Sequence, residues 1–270
     1  MITSSQIKFV RSLRQKKFRE EHGCFVAEGA KLVREFAQSR FTVRQVYILD
    51  EAIEQAIPLT DIPVEAVRLS EMERITGLSS PSPLLAVIEI PADDPPEHLP
   101  ENELILALDG IRDPGNLGTI IRIADWFGID QVICSHDCVD TYNPKVIQAT
   151  MGSVIRVKTT CTDLPLLLAS GRGEIPVYGM TLDGEDLYRS ETTAHGLLVI
   201  GSEAQGISDE VLRLVTRRLS IPSFPPHRNT HAESLNAAIA TGIVCAEFRR
   251  RQADKRTSGQ ADKGLMRNGK

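Results

Sequence analysis

The sequence predicts an α/β protein, with a small N-terminal α/β module followed by a mainly parallel sheet covered by helices on both faces. Three observations predict it. Helical and strand patterns alternate at short intervals up to about residue 90, a proline-rich stretch then interrupts them, and beyond it short apolar runs recur with helical patterns between most of them. Continuously apolar runs mark strands buried on both faces, which is the habit of parallel sheets.

The elements follow in order. Ser4 or Ser5 caps a first helix whose inner edge is Ile7, Val10 and Leu13. Lys8, Arg11, Arg14, Lys16, Lys17 and Arg19 lie along the same stretch with no acid between them, either a basic face for phosphate contacts or a solvated helix face. Residues 24–27, 43–49, 64–67 and 84–90 read as strands, with helices at 30–39 and 70–76. Pro91, Pro95, Pro96 and Pro100, mixed with Asp93, Asp94 and Glu97, build no core element and form a linker. Beyond it, strands are expected at 104–108, 131–134, 155–157, 177–178, 197–200 and 219–221. After Gln252 the chain turns polar and rich in Gly and Lys, so disorder is expected there. The expected organisation is a module over 1–91, a linker over 92–103, a second domain over 104–251 and a disordered tail over 252–270.

At 270 residues, 41% hydrophobic and 25% charged, the composition is that of a soluble globular protein. No apolar run is long enough to span a bilayer and the N-terminus lacks a signal-peptide core, so a cytoplasmic location is expected. The five cysteines show no paired zinc spacing and read as thiols of a reducing compartment. A net charge of −5 argues against bulk electrostatic binding of nucleic acid, which leaves the basic N-terminal stretch as the local exception. His227 and His231 stand four apart without a third ligand, so no metal is expected.

Three segments of the second domain carry chemistry. In the first, an apolar strand passes through Asp109-Gly110-Ile111-Arg112 into a helix opened by Asp113 and Pro114. Leu117, Ile120, Ile121, Ala124 and Phe127 form its buried face, Gly128 stops it, and Arg122 falls on the polar side, where a guanidinium suits an anionic substrate. In the second, the strand at 197–200 empties into Gly201-Ser202-Glu203-Ala204-Gln205-Gly206, a loop whose glycines let a ligand approach the backbone. It matches neither a Walker A loop nor G-x-G-x-x-G. In the third, Ile221-Pro222 leads through a polar loop to Glu233-Ser234-Leu235-Asn236 and a last helix with small residues on one face, suited to intrachain packing or a two-fold contact. The cluster Arg249–Arg251 near the end of that helix complements its dipole.

Taken together, D-x-x-x-D-P-x-N-L-G-x-x-x-R (109–122), G-S-E-x-x-G (201–206) and I-P followed by E-S-L-N (221–236) resemble the three signature motifs of the SpoU (TrmH-type) RNA methyltransferases of the SPOUT superfamily. Phe25-Val26-Ala27-Glu28-Gly29 resembles the small substrate-binding module of many members. The resemblance implies S-adenosylmethionine-dependent methylation of a ribose 2′-hydroxyl in tRNA or rRNA, a C-terminal trefoil knot and a homodimer through the knot domain. It implies catalytic roles for Arg122, Asn116, Glu203, Ser234 and Asn236, and donor-binding roles for Gly201, Ile221 and Leu235 with Met180 and Thr181 beside them. The segment 223–232 is longer than in many relatives, and Arg228 and His227 within it are expected either to touch RNA or only to cover the donor. Two other classes compete. A catalytically silent RNA-binding module has no need of Asn116, Arg122, Glu203, Ser234 and Asn236, and a dinucleotide-dependent oxidoreductase requires a glycine fingerprint that 113–118 does not supply.

Overall fold

The computed structural model describes residues 2–56, 59, 61–92, 99–171, 175–224 and 233–267, with side chains described at all of these except 55, 56 and 255–267. Helix α1 (Ser4–Ser12) starts at Thr3 instead of at either serine. The Thr3 hydroxyl accepts the Gln6 N–H while the Gln6 side chain accepts the Thr3 N–H, which satisfies two free amides reciprocally. Ile7, Val10 and Leu13 are buried as the periodicity predicts. The chain then breaks and restarts as α2 (Lys16–His22). Strand β1 (Cys24–Glu28), α3 (Ala30–Ala37), β2 (Val43–Leu49), a 3-10 turn over Asp50–Ala56, β3 (Val64–Val67), α4 (Leu69–Ile75) and β4 (Leu84–Glu89) follow.

These strands form a sheet in the order β1-β4-β2-β3, with β4 antiparallel to both its neighbours and β3 parallel to β2. Phe25, Phe36 and Phe41 meet edge to face beside it, with centroids 5.1 to 6.2 Å apart. Buried Glu28 accepts from the Thr76 hydroxyl and, at 2.8 Å, from the Gly77 N–H. Those donors offset the cost of burying a carboxylate and tie the turn after α4 to the end of β1.

The second half supplies β5 (Leu104–Asp109), α5 (Pro114–Trp126), β6 (Gln131–Ser135), α6 (Pro144–Thr150), a 3-10 turn over Ser153–Ile155, β7 (Lys158–Thr162) and α7 (Leu164–Ser170). It continues with β8 (Val177–Asp186), β9 (Gly196–Gly201), α8 (Asp209–Leu212), β10 (Arg217–Ser220) and α9 (Ala237–Arg267). The sheet order is β10-β8-β9-β5-β6-β7, and the pairs β10/β8, β8/β9, β9/β5 and β5/β6 are parallel. An α/β fold with a parallel sheet is therefore what the chain adopts. One expected strand is corrected: Ile155 ends a 3-10 turn, Arg156 and Val157 lead out of it, and the strand begins at Lys158. Met151 and Gly152, both in the left-handed region, turn the chain there before it can extend. Helix α9 continues past Gln252, where the sequence pattern had suggested disorder.

Contacts divide the chain into two compact units, Met1–Asp94 with Asp113–Arg122 and Val139–Lys158, and Pro95–Arg112 with Ile123–Cys138 and Thr159–Lys270. The core of the second unit is Ile105, Ala107, Ile133, Leu197 and Val199 under Leu164 and Leu168 of α7 and Val211 of α8. Helix α9 is fastened within this unit by Arg249 and Arg251. Arg249 donates to the Phe127 and Gly128 carbonyls at 2.7 and 2.6 Å, closing the carbonyl end of α5. Arg251 donates to the carbonyls of Leu187 and Ser190 and to Glu247. These arginines lie mid-helix and bind particular carbonyls, which corrects the expectation that they complement a helix end. Glu247 is held down at about 2, first by its hydrogen bond from Arg250. No helix among the described residues is long and apolar enough to cross a membrane.

Within the first unit, α5 and α6 touch at Gly118, where an added Cβ would lie 2.5 Å from Ala149 Cβ and 2.8 Å from the Val146 carbonyl oxygen. Only a residue without a side chain fits this crossing. Gly118→Ala is expected to destabilise the protein by ~1–3 kcal/mol in urea unfolding, although alanine alone would favour the helix by ~1 kcal/mol.

Candidate functional site

The carboxyl ends of β5 and β9 lie side by side, because the parallel register pairs Asp109 with Gly201. Each strand therefore delivers its loop to the same edge, where ligands of open parallel sheets sit. Asp109 is buried, and its Oδ2 accepts the Ser208 N–H at 2.7 Å, at the start of α8. A carboxylate is favoured at a helix start, so this contact binds the far end of the 201–208 loop to β5.

The loop is a tight hairpin. Ser202 and Gly206 exchange backbone hydrogen bonds of 3.0 and 2.8 Å, and a Cβ on Gly201 would stand 2.1 Å from the Gly206 carbonyl carbon. Gly201 is thus required by the close return of the chain. At its tip Glu203 is exposed, and its Oε1 accepts the Ala237 N–H at 3.4 Å. Asn236 Oδ1 accepts the Ala238 and Ile239 N–H groups at 3.0 and 3.2 Å. Glu203 and Asn236 thereby satisfy the amides that open α9. Ser234 is exposed beside them in sequence.

A third loop backs the first. The Gly110 N–H donates at 2.9 Å to Ser135 Oγ, which donates at 2.6 Å to Asp137, and a Cβ on Gly110 would lie 3.1 Å from Asp137 Oδ2 and 3.9 Å from Ser202 Cβ. The Ile111 N–H reaches Cys138 Sγ at 3.3 Å. The Cys138 thiol is brought down to about 7, first by a hydrogen bond with Cys134 and then by Ser135 and the amides of Ile111 and Gly110, against the opposing effect of burial. Asp137 is lowered chiefly by the Ser135 hydroxyl.

Of the residues expected to bind a donor, Met180 and Thr181 lie half-buried on β8, Gly201 ends β9, and Ile221 follows β10 half-buried. Thr181 Oγ1 is buried with no hydrogen bond of normal geometry among the described residues. Leu235 and Phe224 leave 46% and 79% of their area exposed.

In the first unit, Asp113 Oδ1 accepts the Asn116 N–H at 2.8 Å and opens α5. Asn116 is half-buried, and Arg122 is exposed two turns further on, without a hydrogen bond or ion pair among the described residues. Lys8, Arg11, Arg14, Lys16 and Lys17 are exposed as expected. Arg14 is partly committed, donating to the carbonyls of Ile75 and Thr76 at the end of α4. Arg19 corrects the expectation of an outward basic face: it is 1% exposed and paired with Asp140, so it is withdrawn from any RNA contact. The break between α1 and α2 resets the helical phase and turns it inward. Arg228, His227 and His231 lie outside the described residues. No group of three or more metal-ligating side chains occurs among the described residues.

Sequence reasoning assigned no role to Asp109, Ser135 or Cys138. An acid ending an otherwise apolar strand was the available signal for Asp109. Asp109→Ala is expected to cost ~1–2 kcal/mol in urea unfolding, because it removes the acceptor that holds the Ser208 amide to the end of β5.

The family model described as the SpoU rRNA Methylase family matches residues 103–246, and one described as an MRM3-like substrate binding domain matches residues 4–86. The 23S rRNA (guanosine(2553)-2'-O)-methyltransferase RlmP of Bacillus subtilis is 29% identical, with 91% of this chain and 96% of that protein covered. Among solved structures, one of the TrmH family from Porphyromonas gingivalis is 40% identical with a TM-score of 0.82, covering 93% of this chain and 99% of that one. An AdoMet-bound rRNA methyltransferase from Sinorhizobium meliloti is 30% identical, also with a TM-score of 0.82, covering 93% and 96%. With its motif loops gathered at one sheet edge and the family match spanning more than half its length, the chain belongs to the SpoU rRNA methylase family.

Proposed function

We infer that this chain transfers the methyl group of S-adenosylmethionine to a ribose 2′-hydroxyl of RNA, with rRNA as the substrate. The observation that carries this reading is the joining, within one unit, of the ends of β5 and β9 and the start of α9: Asp109 binds Ser208, and Glu203 binds the amide after Asn236. The names of the relatives support rRNA, and the donor in the Sinorhizobium meliloti structure supports the same donor here.

The donor supplies an electrophilic methyl group on a sulfonium. Gly201, Ile221 and Leu235 would hold it through backbone groups and apolar surface, with Met180 and Thr181 beside them. Glu203 and Asn236 keep the loops in place by closing the start of α9. Arg122 grips the RNA phosphate next to the target ribose and stabilises the negative charge that develops on its 2′ oxygen. A guanidinium stays protonated in water, so Arg122 serves here as a clamp, and the proton of the 2′-hydroxyl passes to solvent water. Asn116 and Ser234 orient the ribose. Holding oxygen, methyl carbon and sulfur in line supplies much of the acceleration.

The exposed residues Lys8, Arg11, Lys16 and Lys17 offer phosphate contacts on the N-terminal module over 1–91. The chain after β10 threads a loop to form a trefoil knot, and a second copy packs on the knot domain. Trp126 on α5 and Ile239 on α9, 84% and 57% exposed, supply an apolar surface for that contact in the second unit. Five free thiols suit work in the cytoplasm.

Arg122→Ala is expected to bind S-adenosylmethionine as the wild type does, by isothermal titration, while methyl transfer to rRNA falls by at least ~10²-fold. Mapping of 2′-O-methyl groups in cells lacking the chain should show one rRNA position unmodified. Full activity of the variant, or an unchanged map, would exclude the reading.

A further inference from the structure

Arg19 stands apart from the exposed cations around it. Its Nε and Nη2 both donate to Asp140 Oδ2, at 2.8 and 2.5 Å, and its Nη1 donates to the Leu13 carbonyl at 2.9 Å. Asp140 uses its other oxygen to accept the Tyr142 N–H at 2.9 Å, and its carbonyl accepts the Asn143 N–H at 3.0 Å. Asn143 then caps α6 through the Lys145 N–H at 2.9 Å. The Tyr142 ring lies against Phe25 of β1, with centroids 4.9 Å apart. Further along, Glu35 of α3 pairs with Arg156 at 3.7 Å, and a Cβ on Gly152 would fall 2.3 Å from Glu35 Oε2. Helix α6 carries Val146 and Ala149 against Gly118, one turn before Arg122 on α5. All these residues belong to one compact unit.

A buried ion pair adds little net stability over apolar packing, and its best-attested use is to select one arrangement among several. We propose that the Arg19–Asp140 pair is a registration latch, fixing the N-terminal module on the 139–158 segment so that its RNA contacts keep a set offset from Arg122. The substrate is then a structured rRNA that spans from the module to Arg122, and the offset selects the nucleotide that is methylated. Arg19 and Asp140 are positioning residues in this scheme, since they act through α6 and Gly118 without touching substrate. The proposal rests on the methyltransferase reading above.

The test compares wild type with Asp140→Asn, which removes the charge at nearly constant shape, and with Arg19→Met. Small-angle scattering reads the radius of gyration without requiring activity. Kinetics with total rRNA from cells lacking the chain read KM and kcat, and titration reads S-adenosylmethionine affinity. The latch predicts a larger radius of gyration, a KM for rRNA raised about tenfold or more, and a donor affinity within about twofold of wild type. Methyl groups should also appear at additional rRNA positions. A folded Asp140→Asn protein with unchanged radius and KM would overturn the proposal, and so would donor affinity falling in step with the rise in KM, which marks a merely structural role. Arg44→Gln, at an exposed pair of the same module, is the control expected to change nothing. A wild-type chain that methylates no RNA would defeat the methyltransferase reading, and the scattering comparison would still decide whether the latch holds the module.

Discussion

The hydrogen bond from the Ser208 amide to Asp109, set on the parallel pairing of β5 with β9, is the constraint on which the site depends. β9 is apolar throughout and β5 up to its last residue, Asp109, so their position in the sheet follows from burial. Burial brings two strand ends to one edge without specifying what their loops do. A buried carboxylate at one end must find donors or bear a desolvation cost, and it finds one at the start of α8. The 201–208 hairpin is thereby held at both ends, and its tip meets the first amide of α9. Segments distant in sequence share a site because each satisfies the hydrogen-bonding deficit of another.

The same economy operates in the first unit with opposite charges. Glu28 is satisfied by a hydroxyl and an amide, and Arg19 by a carboxylate and a carbonyl. In both cases a costly buried charge specifies where a loop or helix lies, while packing such as the Phe25, Phe36 and Phe41 cluster supplies the stability.

Much of this was legible from residues alone. Strands β2 and β3 were readable to the residue, because their apolar runs are bounded by turn-forming neighbours. The start of α5 was readable from Asp113 and Pro114, whose preferences are local. The errors arose where a distant contact overrode a local pattern. Residues 155–157 carry two apolar side chains that suit a strand, but the nearby left-handed turn at Met151 and Gly152 leads into a 3-10 turn that ends at Ile155, an exception of local origin. Arg19 looked like part of a basic face because its partner lies 121 residues away and because the helix break is invisible to periodicity. Glu203 was legible as a candidate from its place in the glycine-bounded loop after β9, and Asn236 only through family resemblance. Their shared task of closing the start of α9 required coordinates.

The central claim is that the loops after β5, β9 and β10 form one seat for a sulfonium donor. A crystal structure with S-adenosylhomocysteine bound tests it most directly. The account predicts the ligand against Met180, Thr181, Gly201, Ile221 and Leu235, with its sulfur turned toward the side on which RNA enters. Well-ordered ligand elsewhere on the protein, with those residues untouched, would contradict it.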